Sequence, residues 1–267
     1  MNYNIVPPVK NLRIDCLTVM IYNTPKELGY AAATMAAYHI RNFLSSQPEV
    51  NIMFAAAPSQ NDFLDCLVML PEIDWTRCNA FHLDEYLDLP TSAPQKLCAY
   101  LEKRVFTKVK IKQMYYIDDG ILNTPEEMCA RYEKLLNTHP TDIAFLGVGE
   151  NGHIAFNDPH VANFNDPHKV KVVTIDEVSR NQQVRDGCFK HLEEVPKRAI
   201  TVTIPAIMAA KAIICVVPGL RKQEAVKRML LGPVTPECPA SILRRHPNAT
   251  LFLDIDAAKL IIDEMKV

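Results

Sequence analysis

Glycine is scarce in this sequence: there are eight in 267 residues, where an average usage near 7% would give roughly 19. Other absences exclude whole classes of function. No apolar run approaches the roughly 20 residues that a membrane helix needs. Net charge is −2 with no long basic run, which argues against a nucleic-acid footprint. The eight cysteines (Cys16, Cys66, Cys78, Cys98, Cys129, Cys188, Cys215 and Cys238) form no CxxC pair, and most sit in apolar runs such as "IICVV". They read as buried free thiols in a reducing compartment, not as a disulfide frame or a metal site. The start, "MNYNIVPPVKNLRID", lacks the basic head and apolar core of a secretion signal. A soluble cytoplasmic protein is expected, with no metal.

What is present is a strand–helix alternation. "TPKELGYAAATMAAYHIRNFL" and "TPEEMCARYEKLL" both open on Thr-Pro-x-Glu, the pattern of a capping box with proline at the first helical position. "SQNDFLDCLVML" suggests the same with Ser59 as cap and Asp62 three residues later. Strands are expected at 50–56, 77–86 and 113–118. Continuous apolar runs at 142–149, 198–204, 212–219 and 249–254 suit strands covered on both faces. Helical stretches are expected near 178–191, 220–231 and 255–264. The rhythm predicts an open, doubly wound α/β sheet, mostly parallel, with helices on both faces. No linker-like composition interrupts residues 1–267, so one domain is expected. A doubled "FNDPH" at 156–160 and 164–168 reads as a local coincidence.

In such sheets, ligands sit beyond the carboxyl ends of the strands, where strand order reverses. Three strand ends carry chemistry: residues 55–62, 82–86 and 147–160. Asp84 and Glu85 close an apolar strand, where a partly desolvated carboxylate can act as a general base. Either could equally cap the next element. In "GVGENGHIAFNDP", Gly147, Gly149 and Gly152 permit positive φ and close backbone approach, and His153 can exchange a proton near neutral pH. Asp158, five residues on, could turn back to orient the ring. The run matches GxGxxG only superficially, because an Asn-Asp-Pro turn follows instead of a helix.

"FHLDEYLDLP" and "LGVGENGHIAFNDP" together resemble the two signatures of glucosamine-6-phosphate deaminases, also called isomerases, which commonly read like FNMDEYxGLP and GxGxDGHIAFNEP. The resemblance extends through "VPKRAITVTIPAIMAAKAIICVVPGLRKQEAV" and "SILRRHP", so it covers most of the chain after residue 50. It implies an open α/β sheet shared with sugar-phosphate isomerases and 6-phosphogluconolactonases. It also implies ring opening of an amino-sugar phosphate, proton transfer between C2 and C1, and ammonia release without a cofactor. On that resemblance Asp84 is the base, His153 the ring-opening group, and Asn151 and Asp158 its partners. Ser59, Glu85, Gly149, Gly152, Arg185 and Lys222 line the substrate. A homo-oligomer is implied as well.

Three positions depart from the pattern. Asn151 stands for an aspartate and Asp158 for a glutamate. The glycine-rich phosphate loop, typically like GLPTGGTP, is replaced by "FAAAPSQND". Ser59 and the N–H groups of the following helix remain available to an anion there. Two other readings stay open: a 6-phosphogluconolactonase-type hydrolase, which shares a Gly-His loop, and a non-catalytic sugar-phosphate-binding relative.

Overall fold

A computed structural model describes residues 6–71, 73–121, 124–262 and 264. Its main feature is an eight-stranded sheet built from β1 (Lys10–Ile14), β2 (Leu17–Tyr22), β3 (Val50–Phe54), β4 (Cys78–His82), β6 (Gln113–Tyr115), β7 (Ile143–Leu146), β10 (Ala212–Val217) and β11 (Ala249–Asp254). The spatial order is β1-β2-β11-β10-β7-β3-β4-β6. Every neighbouring pair is parallel except the β1–β2 hairpin. After β3 the chain winds outward through β4 and β6, then returns to β7 on the other side of β3. The reversal point therefore lies between β3 and β7, where ligands bind in this class of sheet.

The runs that read as continuously apolar are buried on both faces. Along β10, Ile213, Cys215 and Val217 join one core while Ile214 and Val216 join the other. In β7, Ala144 and Leu146 face one way, and Ile143 and Phe145 the other. Phe145 meets Phe54 and Phe63 edge-on, with ring centroids 5.2 and 5.0 Å apart. Truncating such a ring to alanine costs about 3–5 kcal/mol.

Helices cover the sheet, and their caps follow the sequence only in part. At α4 (Pro125–Thr138), Thr124 and Glu127 form the full reciprocal box. At α1 (Pro25–Ser46), Thr24 accepts from Glu27 N–H, but the Glu27 carboxylate turns to the Asn23 N–H. The cap expected at Ser59 is absent. Residues Pro58–Gln60 form a 3₁₀ turn and α2 (Asn61–Met69) starts beyond it without a side-chain cap. The helix expected over 255–264 shortens to α8 (Lys259–Ile262), and residue 263 lies outside the described residues.

Two expected members of the large sheet belong elsewhere. A second, antiparallel sheet contains β5 (Asp84–Tyr86), β8 (Val170–Thr174) and β9 (Arg198–Val202), in the order β5-β9-β8. The stretch 77–86 is thus two strands, not one. Leu83 joins the sheets: its N–H donates to Phe54 O at 3.2 Å and its C=O accepts from Val202 N–H at 2.8 Å. The chain changes sheets at this residue, so the carboxylate that follows is delivered to the seam. Run 198–204 read as a two-sided strand because β9 is buried from Ala199 to Val202 as well.

Candidate active site

A cleft open to solvent lies beyond the carboxyl ends of β3 and β7. Residues 55–57, Ser59, Leu83, Asp84, Gly147, Gly149, His153, Gln182, Gln183 and Lys222 are among those lining it. All three chemically loaded strand ends contribute.

Asp84 stands at the seam between the sheets. Among the described residues no side chain donates to its carboxylate, which is only 8% exposed. Burial, helped by the charge of neighbouring Glu85, pushes it up to about 8. Its backbone is fixed by His82, whose Nδ1–H donates to Asp84 O at 2.8 Å while Nε2 accepts from Ile117 N–H at 2.9 Å. Burial pushes the His82 imidazole down, which suits this neutral tautomer. Tyr132 completes the support by donating its hydroxyl to His82 O at 2.9 Å.

His153 is held at its other nitrogen. Nδ1 lies 2.9 Å from Asn151 Oδ1, 2.8 Å from Ser179 Oγ and 3.0 Å from Asp158 Oδ1. An amide oxygen and a carboxylate both demand a donor, so the proton sits on Nδ1 and Nε2 is left for the cleft. Asp158 is fully buried. Burial alone would raise its pKa, but hydrogen bonds from His153, Asn151 and Ser179, with the His153 charge, outweigh it and hold the carboxyl at about 2. Its second oxygen accepts from Asp176 N–H at 2.9 Å. The shorter Asp158 reaches the ring because residues 154–157 fold into a tight turn, with Asn157 tied to Ile154 O and Val202 O at 2.9 and 2.8 Å.

Glycine use here is not what the sequence suggests. A Cβ on Gly149 would lie 2.1 Å from the His153 ring, and Gly152, at φ +91°, packs against Cys238 Sγ off the cleft. These glycines seat the histidine. Gly152 consequently does not line the substrate cleft, which corrects that expectation.

At the opposite end, Lys222 on the turn before α7 (Gln223–Leu231) is only 7% exposed, and its ammonium has no hydrogen-bond partner among the described residues. Burial pushes its ammonium down to about 8, partly offset by Asp186 and Glu150. Gln60 Nε2 donates to Ser59 Oγ at 3.3 Å and to Val216 O at 3.0 Å, leaving the serine proton free to point into the cleft. Two expected positions lie off the cleft in the ligand-free protein. Arg185, at the end of α5 (Glu177–Arg185), does not line the cleft but pairs with Glu150. Glu85 turns away: its carboxylate accepts the N–H groups of Tyr86, Leu97 and Cys98 at 2.9–3.0 Å. It caps α3 (Leu97–Leu101).

Residues 23–252 match the family model described as glucosamine-6-phosphate isomerases/6-phosphogluconolactonase. The chain belongs to this family. It is an enzyme of the deaminase-like type within it. A protein named glucosamine-6-phosphate deaminase from Bacillus cereus (strain B4264) is 33% identical over 244 residues, 91% of this chain and 89% of that one. The protein of the same name from Bacillus thuringiensis (strain Al Hakam) matches equally. A solved structure of a monomeric glucosamine-6-phosphate deaminase superposes with a TM-score of 0.82 at 31% identity, covering 91% of this chain and 99% of that one. A 6-phosphogluconolactonase from Trypanosoma brucei shares the fold, with a TM-score of 0.75 at 17% identity over 94% and 100% of the two chains.

Sequence reasoning missed Ser179, His82 and Gln60. His82 had a weak signal, as a polar residue inside the apolar stretch before Asp84. Ser179 and Gln60 had none, because only tertiary contact brings them to the site. Among the described residues no group of three or more His, Cys, Asp or Glu side chains could hold a metal ion. No described helix is long and apolar enough to cross a membrane.

Proposed function

We propose that this enzyme converts glucosamine 6-phosphate, or a close amino-sugar phosphate, to fructose 6-phosphate and ammonia. The observation that carries the reading is that one cleft holds an unpartnered carboxylate, Asp84, and a histidine whose Nε2 is left as an acceptor. His153 Nε2 takes the proton of the anomeric hydroxyl and returns it to the ring oxygen as the C1–O5 bond breaks. Asp84 then removes the C2 proton and delivers it to C1, while the C2 nitrogen loses one proton and the C1 oxygen gains one, so that the aldehyde becomes an alcohol and the amine an imine. The resulting C2 imine takes up water and releases ammonia, leaving the ketone. A base with a pKa near 8 is mostly protonated at neutral pH. A bound amino sugar brings its own ammonium beside Asp84, however, and a nearby cation favours the ionised carboxylate. Lys222, Ser59 and the start of α2 would meet the phosphate.

The 33% identity to proteins named deaminase supports this reading over lactone hydrolysis, since the lactonase neighbours share the fold only. Eight free thiols fit a cytoplasmic enzyme. A homo-oligomer follows from the family resemblance, whereas the solved deaminase relative is described as monomeric. Light scattering on the purified protein decides between them. The functional test is ammonia and fructose 6-phosphate release from glucosamine 6-phosphate without added metal. No ammonia from that substrate or from galactosamine 6-phosphate, with acid released from 6-phosphogluconolactone, would establish the lactonase instead.

A further inference from the structure

The anion end of the cleft holds more charge than an anion site requires. Arg185, Arg221 and Lys222 supply three cations, and Glu150 and Asp186 supply two carboxylates. Glu150 Oε2 pairs with Arg185, and Asp186 pairs with Arg221 at 2.7 Å. Lys222 alone of the three cations is unpaired among the described residues. Glu150 is well anchored: its N–H donates to Gln182 Oε1 at 2.9 Å, and Gln182 Nε2 donates to Asp186 Oδ2 at 3.2 Å. Its other oxygen, Oε1, is buried without a hydrogen bond, and Arg221 Nε is 3.4 Å away. A side chain 16% exposed thus keeps a 41% exposed guanidinium beside the cleft without letting it line the cleft.

We propose that Glu150 tempers the affinity of the site for phosphate: it holds Arg185 off the cleft, so a ligand gains the guanidinium only by outcompeting an internal carboxylate for it. A phosphate monoester can do so, because its oxygens match the guanidinium fork and carry more charge than a carboxylate. A neutral sugar cannot, and binds without Arg185. The inference rests on the proposed sugar-phosphate reading, and it adds that affinity for the phosphate is set by competition for Arg185 and not by attraction alone.

Titration calorimetry with inorganic phosphate on four proteins tests it: wild type, Glu150→Gln, Arg185→Ala and the double variant. Removing the competing charge should tighten phosphate binding about 3- to 10-fold, the scale of a partly exposed ion pair. Arg185→Ala should bind more weakly than wild type. In the Arg185→Ala background, Glu150→Gln should give no gain, because there is no guanidinium to release. Three outcomes overturn the proposal: no phosphate binding to any of the proteins, equal or weaker binding by Glu150→Gln, or an undiminished gain in the double variant. The last would assign Glu150 to direct repulsion of the anion. The titration needs no turnover. Failure of ammonia release with this coupling intact therefore removes only the deaminase reading, and the reverse pattern removes only the role of Glu150.

Discussion

Two buried aspartates serve one cleft, Asp84 lining it and Asp158 lying behind His153, and their surroundings drive them in opposite directions. Asp84 receives no donor among the described residues, has Glu85 beside it, and is pushed up to about 8. Asp158 accepts from Asn151, Ser179, His153 and the Asp176 N–H, and is held at about 2. A carboxylate left unsatisfied in an apolar seam is poised to accept a proton. One saturated with donors stays ionised and holds a histidine by its distal nitrogen. Split carboxylate environments of this kind separate acid–base roles within a site.

Asp84→Asn should lower kcat for ammonia release by about 100-fold or more while KM changes little, because the base acts on the reacting carbon and not on the phosphate. The same variant should be more stable. Asp84 has a folded pKa above its unfolded value near 3.9, so its contribution is full below about pH 4 and is lost as pH rises to about 8. Scanning calorimetry at pH 8 should therefore show a higher Tm for Asp84→Asn than for wild type. An unchanged kcat would show that another group moves the proton.

Asp158→Asn inverts that pattern. Removing the charge that holds Nδ1–H should cut kcat by about 100-fold and stability by about 1–3 kcal/mol. The folded pKa of Asp158 is depressed, so its stabilisation is present above about pH 4 and lost as pH falls toward 2. Urea midpoints of wild type and variant should differ at pH 7 and converge at pH 2.

Lys222 sharpens the opposite end of the cleft. Lys222→Met should weaken binding of glucosamine 6-phosphate about 10- to 100-fold, the loss of a charge-assisted contact, and leave unphosphorylated glucosamine unaffected. In wild type, kcat/KM should rise toward pH 8 as Asp84 ionises and fall above it as Lys222 loses its proton. The variant should lose the falling limb. Ser59→Ala is the smallest effect, about 2- to 5-fold in affinity for the phosphorylated ligand. With Ser59 inside the 3₁₀ turn and not at a helix cap, the melting temperature should stay unchanged.

How far the sequence disclosed this site depended on whether the cause was local. Period and composition displayed the parallel strands, because burial on both faces leaves an unbroken apolar run such as Ala212–Val217. They could not show the sheet change at Leu83, since β5 and β9 are as buried as the large sheet's strands. The Gly-rich loop marked His153 but misled about its glycines, whose tight neighbours are the ring itself and Cys238. Arg185 and Glu85 carried the right charges for a substrate site. Their partners, Glu150 and the start of α3, lie 35 and 12 residues away for the contacts concerned, beyond any motif. Ser179 was invisible for the same reason.

On the proposed function, the seam between the sheets leaves Asp84 as the proton-accepting carboxylate. Carbon-13 NMR of labelled aspartate carboxyls, followed from pH 3 to pH 10 on the ligand-free enzyme, tests it most directly. One resonance should have a midpoint near 8 and vanish in Asp84→Asn. An Asp84 resonance that titrates near the ordinary value of about 3.9 would contradict it.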